Sequence, residues 1–249
     1  MKEVYGIVIN CSKYKDYDAI IDILTEDNVF PIWVRGAYKP NSKYSNYLPI
    51  FTRGKFEVYQ GGYKYFKLRD AAIDNNLLAF HNDNYSLLYY SMMEELFKKT
   101  YSPDITNRFY SLLNESLNEI NNHVDLSTVT LAYIANLIKI IGYGINVDQY
   151  EDAFGLDFSN GRLVSKNNFN EEATISLDKS EVEIIYKLFK FSQNDFILEP
   201  HNAKTNNHLI EILCNFIAYY NSIEIDSLTY LKYLENTLIM GWQVSNLNV

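Results

Sequence analysis

The hydrophobic rhythm of the chain changes once, between residues 73 and 82, and that change limits the folds open to it. Residues 4 to 73 read as about five short strands: Val4–Cys11, Ala19–Thr25, Phe30–Ala37, Ile50–Gln60 and Tyr63–Ile73. These runs are rich in β-branched and aromatic residues. Asp27-Asn28 and Gly61-Gly62 separate successive pairs, and the glycine pair suits a two-residue hairpin that needs positive φ. Tyr38–Pro49 is a longer polar loop. Five short strands in one stretch fit a small barrel, with an oligonucleotide-binding (OB) fold as the leading expectation and an SH3-like barrel as the alternative.

Beyond residue 82 the apolar period becomes helical. Asp83–Thr100 opens on an acid and ends on Lys98-Lys99, complementing the helix dipole at both ends. Asp104–Asn121 sets Phe109, Leu112, Leu113, Leu117 and Ile120 on one face. Ser127–Ile141 opens on a Ser/Thr cap and stops at Gly142. Ser180 with Glu183 reads as a capping box for Glu181–Phe191, and Thr205–Tyr220 and Leu228–Met240 complete the set. Val147–Leu177 is polar and irregular, either a small β insert or a loop. The expected class is α+β: an OB-fold nucleic-acid-binding domain over residues 1–80, then an all-helical domain over 81–249 with an irregular insert around 145–178.

Charge divides the chain at the same place. Residues 1–80 hold eleven Lys/Arg against nine Asp/Glu, residues 81–249 eleven against twenty-two, and the whole stands at −9. The basic excess is concentrated between Arg35 and Arg69, where eight Lys/Arg face the single acid Glu57. Aromatic residues are interleaved with them: Tyr38, Tyr44, Tyr47, Phe51, Phe56, Tyr59, Tyr63, Tyr65 and Phe66. Cations answer phosphates and flat rings answer unstacked bases, so this mixture predicts a nucleic-acid surface. The candidate contacts are Arg35, Tyr38, Lys39, Lys43, Tyr44, Arg53, Lys55, Lys67 and Arg69. Gly36 and Pro40 shape the loop that carries the first of them, and Tyr38, Tyr44 and Tyr47 are better stacking candidates than Phe30, Trp33, Phe51, Phe56 and Phe66, which read as barrel core.

Catalytic readings find little support. His81, His123, His201 and His208 lack zinc spacing, and the adjacent acids Glu94-Glu95, Glu151-Asp152 and Glu171-Glu172 diverge on a helix. Gly142-Tyr143-Gly144 has neither a third glycine nor a preceding strand. Two cysteines, Cys11 and Cys214, cannot form a disulfide framework. No signal peptide is expected, and Leu131–Ile145, interrupted by Asn136 and Lys139, is too short to span a bilayer. A cytoplasmic, nucleoid-associated binding protein without catalytic residues, cofactor or membrane partner is expected. A protein-interaction scaffold whose barrel binds RNA or a protein is the alternative.

The order of short motifs resembles the bacterial RecO family. It consists of Gly6-Ile7-Val8-Ile9, Tyr14-Lys15-Asp16-Tyr17-Asp18, Ile23-Leu24-Thr25-Glu26, Arg35 to Lys43, and Leu48 to Phe51. The resemblance is most specific over residues 4–73. It implies an N-terminal OB domain, a helical domain and a recombination mediator with no reaction of its own. Such a mediator binds single- and double-stranded DNA, anneals complementary strands and docks on the acidic C-terminal tail of single-strand-binding protein. With RecR it loads RecA, an indirect partner. Lys98, Lys99, Arg108 and Lys139 are the expected tail pocket.

Three positions depart from the family pattern. Tyr38 stands where many relatives carry a cation, and Pro49-Ile50 replaces Gln-Pro before Phe51. Tyr150, Ala153, Val164 and Asn167 occupy the approximate places of a four-cysteine zinc module. No metal is expected there, and packing is expected to hold the segment.

Overall fold

The protein is described from a computed structural model covering residues 1–60, 65–75, 77, 80, 83–168, 170–191 and 202–234. The Gly61-Gly62 hairpin, Tyr63, Lys64, His81, His201 and the end of the expected Leu228–Met240 helix lie outside the described residues. The chain divides into two compact units, Met1–Ala79 with Tyr101–His123, and Phe80–Thr100 with Val124–Val249. Among the described residues no helix is long and apolar enough to cross a membrane.

The first unit is a closed barrel of β1 (Lys2–Tyr14), β2 (Asp18–Leu24), β3 (Val29–Val34), β4 (Arg53–Gln60) and β5 (Phe66–Ile73), in the order β1-β2-β3-β5-β4. Alternation builds it. Ala19, Ile21 and Ile23 point inward from β2 and meet Ile32, Val34, Val4, Val8, Phe56, Val58 and Leu68 in one core, as the two-residue period of a strand requires. The thirteen-residue β1 serves two neighbours, pairing with β2 from Ile7↔Leu24 to Tyr14↔Asp18 across an irregularity between Val8 and Asn10, and with β4 from Lys2↔Val58 to Ile7↔Arg53. Gly6 lies opposite Gly54 in that ladder. A Cβ on Gly6 would sit 2.4 Å from the Leu24 carbonyl oxygen, and one on Gly54 2.2 Å from that of Ala72. Only glycine permits this approach. Closure is completed by the parallel pairing of β3 with β5. This strand order selects the OB expectation over the SH3-like one.

Helix α2 (Thr106–Asn121) belongs to the barrel's unit and packs on β1. Arg53 ties it there. Its Nε donates to Asp74 Oδ1 at 2.7 Å, and its Nη1 reaches the Asn114 carbonyl (3.2 Å), Asn114 Oδ1 (3.0 Å) and Asn118 Oδ1 (2.7 Å). Arg53 is 6% exposed.

In the second unit α3 (Leu126–Ile140) is buried almost all round and packs against α1 (Asn84–Thr100), α4 (Lys179–Lys190) and α5 (Ala203–Asn221). Its N-cap is Asp125, which accepts from the Thr128 N–H, rather than the expected Ser or Thr. Its end matches expectation: Gly142 takes φ +93°, its N–H reaches the Lys139 carbonyl and the Tyr143 N–H that of Ile138. These bonds satisfy two orphan carbonyls of the last turn. The capping box of α4 is Asp178 with Glu181, two residues before the expected Ser180–Glu183. The polar insert folds as a three-stranded sheet of β6 (Ala153–Asp157), β7 (Arg162–Ser165) and β8 (Thr174–Ser176), ordered β7-β6-β8.

Glu95 on α1 acts as a remote cap. It accepts from the backbone N–H groups of Asp226 (2.7 Å) and Ser227 (2.9 Å), which open the helical segment 226–234, and from Ser227 Oγ (2.6 Å) and Lys99 Nζ (2.6 Å). Burial alone would raise its carboxyl pKa, but bonds from Lys99, Ser227 and Asp226 outweigh burial and hold it at about 2.

Two outcomes follow. Arg53→Met strands the acceptors on Asn114, Asn118 and Asp74, and should cost on the order of 3 kcal/mol in urea unfolding of the full chain. The depressed Glu95 carboxyl contributes stability above its unfolded pKa near 4.5 that is lost as pH falls towards about 2. Glu95→Gln should therefore lower stability at neutral pH and flatten the pH dependence of unfolding between those limits.

Candidate nucleic-acid interface

The expected basic contacts separate by their partners. Lys43 pairs with Asp70 at 3.5 Å, Lys55 with Glu3 at 3.1 Å and Arg69 with Glu57 at 3.8 Å. The Asp70 carboxyl pKa is lowered, chiefly by the Ala71 N–H, with Lys43 adding to it against the opposing effect of desolvation. Exposed pairs of this kind are worth about 0–1 kcal/mol and yield to a competing phosphate, yet each cancels one charge of the local field. Arg53 is withdrawn from the set altogether, because its guanidinium is buried against α2. Lys15, Arg35, Lys39 and Lys67 have no carboxylate partner among the described residues.

Those four cations gather where β3 ends. Trp33 lies between Ile32 and Val34, both 0% exposed, so by the strand period its half-buried ring belongs to the outer face. Lys67 is its partner across the β3–β5 pairing and places Nζ 4.6 Å from the ring centroid. Lys15, in the β1–β2 turn at φ +56°, places its own Nζ 5.1 Å from that ring. Tyr14 meets the indole edge-on at 5.8 Å, and Tyr65 meets Tyr14 at 6.5 Å.

One carboxylate fixes this arrangement. Asp18 Oδ2 accepts from Trp33 Nε1 at 2.9 Å, and Oδ1 accepts from the Gly36 N–H at 2.7 Å. The Tyr38 N–H donates to the Tyr17 carbonyl at 2.9 Å, stitching the loop after β3 to the β1–β2 turn. Gly36 takes φ +70° with the Lys39 stem folded against it. Successive turns, Lys39 N–H to Gly36 and Ser42 N–H to Lys39, then carry the chain forward.

The aromatic expectations change accordingly. Tyr38 is 44% exposed, with its hydroxyl 3.5 Å from Cys11 Sγ. That hydrogen bond, with some burial, raises its phenol to about 12, so it stays neutral. Tyr44 and Tyr47 pack against the barrel, donating to the Arg69 carbonyl (3.2 Å) and Asp70 Oδ1 (3.3 Å). Trp33, read from sequence as core, is instead the ring under the unpaired cations. Tyr14, Lys15 and Asp18 were absent from the expected set. The period-two pattern of Ile32 and Val34 was the available signal, because it sends Trp33 outward.

The expected tail-pocket residues have other commitments. Lys98 pairs with Glu94 on its own helix, and Lys99 serves Glu95, Asp226 and the Glu224 carbonyl. Lys139 donates to the Leu188 carbonyl at 2.6 Å, and burial lowers its pKa. Arg108 belongs to the barrel's unit.

In the insert, Tyr150 stacks on Tyr186 at 3.8 Å, Val164 is 0% exposed on β7, Ala153 starts β6 and Asn167 lies in an exposed turn. Phe158 meets Phe216 edge-on at 5.4 Å, and Tyr220 donates to the Phe158 carbonyl at 2.6 Å. The side chains at those four positions do not fit a zinc ion, and packing accounts for the segment. Among the described residues no group of three or more His, Cys, Asp or Glu side chains is arranged to hold a metal.

A closed five-stranded barrel of this strand order, with its β1–β2 turn and the end of β3 brought together, is an OB-fold module of the oligonucleotide- or oligosaccharide-binding type. Residues 1–75 match the family described as Recombination protein O N terminal. The chain is 26% identical over 251 residues to the DNA repair protein RecO of Mycoplasma mycoides subsp. mycoides, covering 96% of this chain and 98% of that one. It is 25% identical over 198 residues to the protein of that name from Lactobacillus acidophilus, covering 74% and 78%. Over 151 residues it is 31% identical to that of Clostridium acetobutylicum, covering 57% and 59%. The chain is thus similar to RecO proteins along most of its length, and most specifically over residues 1–75.

Removing the Asp18 carboxylate leaves the Trp33 and Gly36 N–H groups without their partner. Asp18→Ala should destabilise the barrel by roughly 1–3 kcal/mol, measured by urea unfolding, and broaden the amide and indole NMR signals of Gly36 and Trp33.

Proposed function

We propose that this protein is a recombination mediator of DNA repair that works by binding DNA, without a reaction of its own. The observation that carries the reading is the cluster of unpaired Lys15, Arg35, Lys39 and Lys67 on an OB barrel, at the β1–β2 turn and the end of β3. Faces of this kind on OB barrels take oligonucleotides, and the relatives named above are DNA repair proteins. Family likeness extends the proposal to annealing of complementary strands, to docking on the single-strand-binding protein tail, and to RecA loading with RecR. Both single- and double-stranded DNA supply the phosphates these cations need.

Four phosphate contacts predict that log K falls with log salt at a slope of about −3 on single strands. Arg35→Gln with Lys39→Gln should flatten that slope by about 1.4, whereas Lys55→Gln with Arg69→Gln should leave it nearly unchanged. Equal effects from both pairs would move the site. Fluorescence-monitored annealing of complementary oligonucleotides, with and without single-strand-binding protein, tests the mediator role. No acceleration at any salt concentration would reject it.

A further inference from the structure

We propose that the Trp33 indole is a stacking platform for one unstacked base of single-stranded DNA, covered in the free protein by Lys15 and Lys67. The inference rests on the DNA-binding reading of the barrel face and makes it specific for strand type. A tryptophan between Ile32 and Val34 on the outer face of β3 is not required by the core, which its neighbours already fill. Its orientation is fixed nonetheless, because Asp18 holds the indole N–H at 2.9 Å. A held ring has little freedom left to lose when a base settles on it.

The two lysines are a cover that a ligand can displace. Their ammonium groups lie 5.1 and 4.6 Å from one ring centroid, and neither has a carboxylate partner among the described residues. Two like charges over the same ring repel each other, and Lys15 holds its place from a left-handed backbone conformation at φ +56° that is unfavourable for a lysine. An exposed cation–π contact changes an equilibrium constant by roughly 2–5-fold, whereas stacking one base on an aromatic ring contributes roughly 5–150-fold. A base therefore outcompetes either ammonium for the ring. The displaced ammonium remains on its flexible stem, within reach of the phosphate beside that base. Tyr14, edge-on to the indole at 5.8 Å, walls one side of the platform, and Tyr65 extends the aromatic surface beyond it. The bases of an intact duplex are already stacked on each other, so a duplex can use the cations but not the ring.

The chain has two tryptophans, Trp33 and Trp242, and Trp242 lies outside the described residues. Trp242→Phe leaves Trp33 as the only tryptophan reporter in an otherwise intact chain. Titration with an oligothymidylate should quench its emission, and titration with a hairpin duplex should not. Trp33→Leu should weaken oligothymidylate binding by roughly 5–150-fold while leaving duplex binding within about twofold, and Trp33→Phe should retain most of the affinity. Oligothymidylate binding without quenching overturns the platform and leaves the DNA-binding face intact. An equal loss of single-strand and duplex binding in Trp33→Leu also overturns it, since Trp33 would then only support the loop. Failure of the parent chain to bind either form overturns the DNA-binding reading itself, and the platform with it.

Discussion

The parallel pairing of β3 with β5 is the joint on which the barrel and its outer face both depend. Every other contact in the barrel is antiparallel, and a sheet of those four contacts alone would remain open. The joint is short, Ile32↔Phe66 and Trp33↔Lys67, yet it does two things at once. On the inside it completes the core around Ile32. On the outside it sets Lys67 against Trp33, two residues far apart in sequence that no hairpin could bring together. Closure of the barrel and assembly of the cationic ring are thus one event.

The same closure explains why counting charges along the chain overstates the free charge of the basic window. The basic window from Arg35 to Arg69 stops one residue before Asp70 and five before Asp74. Folding brings both acids back onto it, Asp70 to Lys43 and Asp74 to Arg53, while Glu3 arrives from β1 to meet Lys55. Lys15 lies outside the window but joins its unpaired cations through the β1–β2 turn. Electrostatic field depends on neighbours in space, and in a barrel those come from the adjoining strands.

Much of the fold was legible because it is written in local patterns. The β2 alternation of Ala19, Ile21 and Ile23, the positive φ at Gly142 and the apolar face of α2 are each set by residues a few positions apart. Errors arose where a tertiary partner decides. Asp178 caps α4 although Ser180 is also a good cap, and its reciprocal partner Glu181 is also bound by His208 of α5. The helical period of α2 was readable, but its attachment to the barrel through Arg53 needed the folded geometry. Within the candidate site, the Arg35–Lys43 loop stands out by composition. Trp33 reads as core from sequence because bulk and apolarity are weighed above strand parity.

Parity also changes what the surrounding acidity does. An acidic remainder repels a polyanion over about one Debye length, roughly 8 Å at physiological salt, so it discourages loose association without contributing at the site. Phosphate contacts alone would then give binding that weakens steeply with salt and treats single and double strands alike. On the proposed reading, a base stacked on the fixed Trp33 ring would add a contribution that salt leaves largely intact and that only an exposed base can satisfy. On an acidic protein, where the long-range field offers little help, the proposed base contact would supply a short-range preference for an open strand that phosphate contacts lack.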